Sequence, residues 1–273
     1  MSGALQGDQF FRLVLEVNAS NRLVSGSSSA QEFADVLEIL ESRTSPAAIA
    51  SPCMYAQDGS RLYAGGYRGT SEVWSLSPSA STITNAMKTL ASKLVTPGKS
   101  KRFRPHSPND VSVATLVRAG SWNLLLGADL ENTVEPEFGW RAVLSSTARP
   151  TDVSQVFKVG HHGSQNAHHD DIWNTMLSSD PTSVITPYTR LSDKLPTTTD
   201  VSRIQARTKS LYCTTWPPSR KPTKRRAVDG IIAGAAKSRH ALNTDRGYVR
   251  VRVDLSSSTA VPSVELFGSA AQL

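Results

Sequence analysis

Cysteine is scarce in this chain, which has two, Cys53 and Cys213, among 273 residues. Two cysteines are too few for a disulfide framework or a thiolate zinc site. We therefore expect each to be a buried core thiol.

Long hydrophobic runs are also missing. The longest apolar stretch near the start, residues 10–17 (FFRLVLEV), is interrupted by charge and is far too short to span a bilayer. It lacks the basic start and the small-residue cleavage site of a signal peptide. These features predict a cytoplasmic protein with no membrane partner.

The composition is that of a folded protein, with 38% hydrophobic and 19% charged residues. We expect residues 1–273 to form a single domain. The net charge of +7 is concentrated in residues 98–105 (GKSKRFRP) and 219–226 (SRKPTKRR). Such clusters attract phosphate backbones, so nucleic acid is a candidate partner, and solvated basic loops are the alternative.

Strand-like and helix-like segments alternate along the chain, which predicts an α/β fold. The long basic stretch 217–247 is interpreted as a loop or insertion. In the first half we expect strands at 13–17, 61–63 and 72–74 and helices at 28–43 and 82–94. In the second half we expect strands at 111–117, 122–127, 155–159, 183–186, 210–214, 248–255 and 263–267, and helices at 138–146, 168–177 and 199–207.

Four of the six histidines fall within residues 161–169, directly after the predicted strand 155–159. His161 and His162 lie between Gly160 and Gly163, and Asp129 follows another strand that ends at Gly127. Polar side chains at strand ends with glycine turns project into clefts, and imidazole and carboxylate are common ligands of zinc. From spacing alone, a turn aspartate and a surface or core histidine pair remain alternatives.

The sequence around these residues resembles the C-terminal half of metallo-β-lactamase-fold hydrolases, in the branch that includes the competence protein ComEC. The matching positions are Asn109, Ser112, Asp129 and His161-His162-Gly163-Ser164, and the resemblance covers about residues 105–215. This sequence has Gly-Ala-Asp where the family more often has Gly-Asp, so its aspartate lies one residue later than in the family motif.

The resemblance implies an αββα sandwich with a binuclear zinc site at its edge. Asp129 would bridge the metals, and His161 or His162 would complete the second site. Metal-activated hydroxide would then attack a phosphoryl or carbonyl centre. It also implies catalytic roles for these three residues.

The principal ligand signature of that family, His-x-His/Asp-x-Asp-His, is absent, because no histidine precedes His106. His106 is either an extra ligand or a loop histidine. We expect the sandwich to be incomplete at its N-terminus, so that a partner or second subunit completes it or the remnant is inactive.

Four further residues are candidates for substrate contact: Ser164, His168, Tyr188 and Arg190. His168 alternatively belongs to the first turn of a surface helix with His169, Asp170 and Asp171. Tyr188, Arg190 and Lys194 could equally form a structural loop.

Two functions follow from the sequence. The first is a zinc-dependent hydrolase of metallo-β-lactamase fold, acting on phosphodiester or nucleic-acid substrates. The alternative is a catalytically incomplete remnant that binds nucleic acid or a protein partner.

Overall fold

One eight-stranded sheet organises the described part of the chain. The computed structural model describes residues 56–66, 71–94, 108–189, 194–216, 230–231, 234–235, 247–256 and 261–273. The chain separates into two units, Met1–Tyr55 and Ala56–Leu273, and every described residue belongs to the second.

The strands are β1 (Arg61–Gly65), β2 (Ser71–Ser75), β3 (Thr115–Ala119), β4 (Trp122–Leu126), β5 (Ser154–Lys158), β6 (Leu177–Ile185), β7 (Leu211–Cys213), β8 (Tyr248–Arg252), β9 (Ser263–Phe267) and β10 (Ala271–Gln272). The α-helices are α1 (Ala80–Leu94), α2 (Gly139–Ser145) and α3 (Thr198–Gln205). Short 3-10 turns cover Pro108–Val111, His161–Gly163 and Gln165–Ala167, and a π-helical turn covers Ile172–Met176.

The large sheet has the order β1-β2-β3-β4-β5-β6-β7-β10. The pairs β1–β2, β2–β3 and β3–β4 are antiparallel, the pairs β4–β5, β5–β6 and β6–β7 are parallel, and β10 runs antiparallel to β7. Helix α2 lies in the connection from β4 to β5 and α3 in that from β6 to β7, as parallel neighbours require long crossovers. The predicted α/β class is therefore confirmed.

Most predicted elements are present with small shifts at their ends. The predicted helices at 82–94, 138–146 and 199–207 correspond to α1, α2 and α3. The predicted strand at 111–117 begins only at Thr115, because Pro108–Val111 form a 3-10 turn closed by the Ser112 N–H donating to the Asn109 carbonyl at 3.0 Å.

The helix predicted at 168–177 is present over residues 170–176, and its last five residues, Ile172–Met176, form a π-helical turn. Ile172, Trp173 and Met176 are buried, as the apolar spacing predicts. The difference lies in the strand that follows, since β6 begins at Leu177, six residues before the predicted strand.

The hydrophobic core lies on one face of the sheet. Leu116, Leu125, Phe157, Ile185 and Leu211 alternate inward along five neighbouring strands and are at most 3% exposed. Trp140 of α2 and Ile204 of α3 are fully buried against this core. Each such side chain contributes about 1.5–3 kcal/mol on burial, so the helices are held by packing rather than by propensity.

Strands β8 and β9 and the described cysteine follow the sequence predictions, whereas β10 was not predicted. Strands β8 and β9 form a separate two-stranded sheet, in which the Tyr248 and Phe267 rings stack with centroids 4.3 Å apart. Cys213 is fully buried, and burial raises the pKa of its thiol.

Several predicted features lie outside the described residues. They are the elements at 13–17 and 28–43, Cys53, the basic segments 98–105 and 219–226, His106, Arg190, and all of 217–247 except residues 230–231, 234–235 and 247. Among the helices that are described, none has the length and apolar character needed to cross a membrane.

A carboxylate network joins the first three strands. Glu72 accepts hydrogen bonds from Trp74 Nε1 at 2.9 Å, from Arg118 at 2.8 Å and from Arg61 at 3.0 Å. Arg118 also pairs with Asp152, which precedes β5. The hydrogen bonds from Trp74, Arg118 and Arg61 lower the pKa of Glu72 from its usual 4.5 to about 2.

Glu72 should therefore make stability pH-dependent. Because its folded-state pKa lies below the unfolded value, its contribution is complete above about pH 4.5 and is lost as the pH falls towards 2. We expect Glu72→Gln to unfold at lower urea than wild type at neutral pH, with the difference shrinking at acidic pH. Urea titrations of both chains across this range test it, with the exposed Glu135→Gln as control. A pH-independent difference would contradict the assignment.

Candidate functional site

Strands β4 and β5 end side by side, and this places the two predicted motifs together. The Gly127 N–H donates to the Lys158 carbonyl at 3.0 Å. A Cβ added at Gly127 would lie 2.8 Å from the Gly160 Cα, so any larger residue would push the two strand ends apart. Because of this close approach, the loop after β4 lies directly beside the histidine turn after β5.

The histidine turn has an unusual backbone. His161, His162 and Gly163 have φ angles of 41°, 57° and 81°, three left-handed residues in succession, and Ala128 opposite them has φ 47°. The left-handed region costs a non-glycine residue roughly 1–2 kcal/mol. The turn is tied to the neighbouring loop by the His161 N–H, which donates to the Ala128 carbonyl at 2.8 Å. Backbone strain held in place by surrounding contacts is typical of functional sites.

His162 and Asp129 form the first acid–histidine pair. The His162 Nδ1 lies 2.8 Å from the Thr186 carbonyl oxygen. A carbonyl can only accept, so this nitrogen carries the proton and Nε2 is the free nitrogen. His162 Nε2 lies 3.7 Å from Asp129 Oδ1. In neutral imidazole two electron-rich atoms thus face each other, an arrangement that a proton or a metal cation between them would stabilise.

His161 and Glu131 form the second pair. The His161 Nδ1 lies 3.1 Å from Glu131 Oε1. The distance is that of an ion pair, but the two groups are not aligned for a hydrogen bond. Nδ1 is buried and has no hydrogen-bond partner among the described residues. Asn109 Nδ2 donates to the same Glu131 oxygen at 2.7 Å, so the asparagine fixes the carboxylate.

Sequence reasoning missed Glu131. The sequence could have identified Glu131 as a site residue, since it follows Asp129 by two residues in the same Gly-Ala-Asp-Leu-Glu turn. The structure also separates the two histidines, which the sequence left interchangeable, because each has its own carboxylate partner.

An open cleft of about 720 Å³ surrounds these residues. Its lining residues are Asn109, Asp129, His161, His162, Ser164, Asn166, Tyr188, Lys194, Leu195 and Thr197.

Two predicted substrate residues, Ser164 and Tyr188, thus belong to the cleft. The Tyr188 ring lies 5.2 Å from the His162 ring. The backbones of Tyr188 and Leu195 exchange hydrogen bonds of 2.8 and 2.9 Å, which hold this wall of the cleft beside the histidine turn.

His168 does not line this cleft. Its Nδ1 accepts from Trp173 Nε1 at 3.3 Å, so Nε2 carries the proton that points to Asp170 Oδ1 at 3.1 Å. Burial lowers the pKa of this imidazole, with Arg203 and Arg207 adding to the effect. Asp170 is also paired with Arg207. These contacts give His168 a structural role beside the core, and it lines a separate surface depression with His169.

The ligand count at the site is short of a zinc centre. Within the described ranges, no three His, Cys, Asp or Glu side chains lie close enough together to hold a metal ion. A catalytic zinc takes about three protein ligands. Asp129 and His162 thus provide a pair of ligand type, and the described residues alone do not complete a set.

Comparison of the chain with protein-family models, with curated proteins and with solved structures found no match.

Proposed function

We propose that this chain is a metal-dependent hydrolase of metallo-β-lactamase fold, with Asp129 and His162 as two ligands of a zinc ion. The observation that carries the proposal is the facing pair of His162 Nε2 and Asp129 Oδ1 at 3.7 Å, in a cleft at the ends of parallel strands. Ligands in this orientation, with the other imidazole nitrogen donating to a backbone carbonyl, are typical of protein metal sites. When bound, zinc supplies hydroxide at neutral pH.

The other residues of the site have separate roles in this proposal. Asn109 fixes the Glu131 carboxylate beside the His161 ring, and His161 itself lines the cleft. The missing ligands come from outside the described residues. His106 is one candidate, since it precedes Asn109 of the cleft by three residues. A partner or second subunit is the other.

A partner that completes the fold is supported by one face of the sheet. Leu125 is fully buried on the helix-covered face. On the other face Leu126, at the end of the same strand, is 37% exposed, whereas Trp122 at its start is buried at 3%. A second β layer against that face would convert the sheet into the sandwich that we propose.

The substrate class that fits the cleft is an anionic ester such as a phosphodiester. Lys194 is exposed at the cleft wall, and Ser164 and Asn166 add neutral hydrogen-bonding groups. The net charge of +7 favours approach of a polyanion such as nucleic acid. Arg190 would add a further positive charge four residues before Lys194.

The alternative function is a remnant that binds nucleic acid or a protein without metal chemistry. It is favoured by the basic segments 98–105 and 219–226 together with the short ligand count of the described residues. Metal content separates the two functions, because salt-dependent DNA binding is compatible with both.

The first test is zinc binding by the purified chain after removal of metal with a chelator. We expect near-stoichiometric zinc in wild type. Asp129→Asn and His162→Ala should each weaken zinc binding at least about tenfold, since each removes a ligand. His169→Ala is the matched control, because this histidine lies outside the cleft. Wild-type protein without zinc would overturn a hydrolase whose missing ligands come from this chain or from a second copy of it, and unchanged binding in both variants would place the metal elsewhere.

The second test concerns the substrate charge. Lys194→Ala should raise the KM for a chromogenic phosphodiester about two- to fivefold, the factor expected for one exposed charge of about 0.4–1 kcal/mol. The kcat should stay unchanged, because Lys194 contacts the substrate away from the ligand pair. The difference should shrink at high salt.

The control for this test is Lys209→Ala, an exposed lysine that does not line the cleft. A lower kcat with unchanged KM in the Lys194 variant would contradict a substrate-binding role.

A further inference from the structure

The histidine turn is hydrogen-bonded to a partly buried arginine of helix α3. Arg203, in the last turn of α3, donates from Nη2 to the Gly163 carbonyl at 2.7 Å. The same nitrogen donates to Asp200 Oδ1 at 3.0 Å, and the Arg203 side chain is only 17% exposed. This arginine thus links helix α3 to the third residue of the left-handed turn, 40 residues earlier in the chain.

The arginine is itself fixed by the start of α3. Thr197 and Asp200 form a capping box, in which Asp200 accepts from the Thr197 N–H at 3.0 Å and from its hydroxyl at 2.7 Å. Burial alone would raise the pKa of Asp200, but the hydrogen bonds from Thr197 and Arg203 outweigh it and lower this pKa. Asp200 therefore remains a carboxylate that anchors Arg203.

Stability alone does not account for an arginine here. Its Nε is buried and has no hydrogen-bond partner among the described residues, which is a cost that an apolar residue would avoid. The turn, in contrast, needs an external anchor. His161 and His162 occupy the disfavoured left-handed region, and such strain persists only where surrounding contacts over-determine it.

We propose that Arg203 is a positioning residue for the site: by holding the Gly163 carbonyl it fixes the His161-His162-Gly163 turn and aims His162 Nε2 at Asp129. Thr197 lines the cleft and Gly163 follows the cleft histidines. The series Thr197, Asp200, Arg203 and Gly163 therefore joins the cleft wall to the cleft floor. The orientation of His162 depends on this series whether or not the site takes zinc, and the effect on zinc binding rests on the proposed function.

The test compares Arg203→Met, Arg203→Lys and wild type, with Arg207→Met as matched control. Arg207 lies four residues further on and pairs with Asp170, without contact to the turn. Long-range ¹H–¹⁵N spectra at about pH 8, above the usual imidazole pKa of about 6.5, report which nitrogen of His162 carries the proton. His162→Gln assigns the signal.

We expect the Nδ1-protonated form of His162 in wild type and in Arg207→Met, because the Thr186 carbonyl accepts that proton. Arg203→Met should give a mixture of tautomers, as the released turn loses this hydrogen bond. Zinc affinity should fall about tenfold in Arg203→Met, the lower end of the effect of removing a group that orients a ligand. Arg203→Lys should recover part of both losses.

The outcomes separate the two proposals. A wild-type His162 tautomer in Arg203→Met, with the protein folded by urea titration, would overturn the positioning role. If Arg203→Met does not fold, Arg203→Gln takes its place, since its side chain is uncharged and too short to replace the guanidinium. An unchanged tautomer and zinc affinity in that variant would overturn the role equally. A wild-type chain that binds no zinc would overturn the proposed function, while the tautomer measurement would still decide the role of Arg203.

Discussion

The contact of Gly127 with Gly160 is the constraint on which the site depends. Parallel strands β4 and β5 lie side by side, and their glycine ends let the following backbones touch. The loop with Asp129 and Glu131 then meets the turn with His161 and His162, joined by the bond from the His161 N–H to the Ala128 carbonyl. A side chain at Gly127 would separate the carboxylates from the histidines before any of the site chemistry could be arranged.

From this contact, two adjacent histidines acquire different surroundings. His161 turns Nδ1 towards Glu131, a carboxylate that Asn109 holds, whereas His162 gives its Nδ1 proton to the Thr186 backbone. Adjacent residues in regular structure could not both point into one cleft with such different partners. The left-handed backbone at both positions makes this divergence sterically feasible, at a cost that the surrounding hydrogen bonds must offset.

Much of the fold and part of the site could be predicted from the sequence. Apolar periodicity located α1, α2, α3 and most strands to within a few residues, because those segments bury one regular face. It also located the helical residues 170–176, but neither the π-helical form of Ile172–Met176 nor the start of the nine-residue strand directly after them. Motif reasoning brought Asp129 and the histidine pair together, and Ser164 and Tyr188 line the same cleft.

What the sequence could not provide are contacts between residues far apart in the chain. Arg203 meets Gly163 across 40 residues, and Asn109 meets Glu131 across 22. His168 shows the same limit, since the sequence left substrate contact and a helix turn as alternatives, and only the structure shows that Trp173 and Asp170 contact both of its ring nitrogens. A polar side chain whose hydrogen bonds are all made within the protein has nothing left to offer a ligand. By contrast, His162 Nε2 faces a carboxylate oxygen at 3.7 Å and keeps its lone pair, since the Thr186 carbonyl accepts the proton on Nδ1.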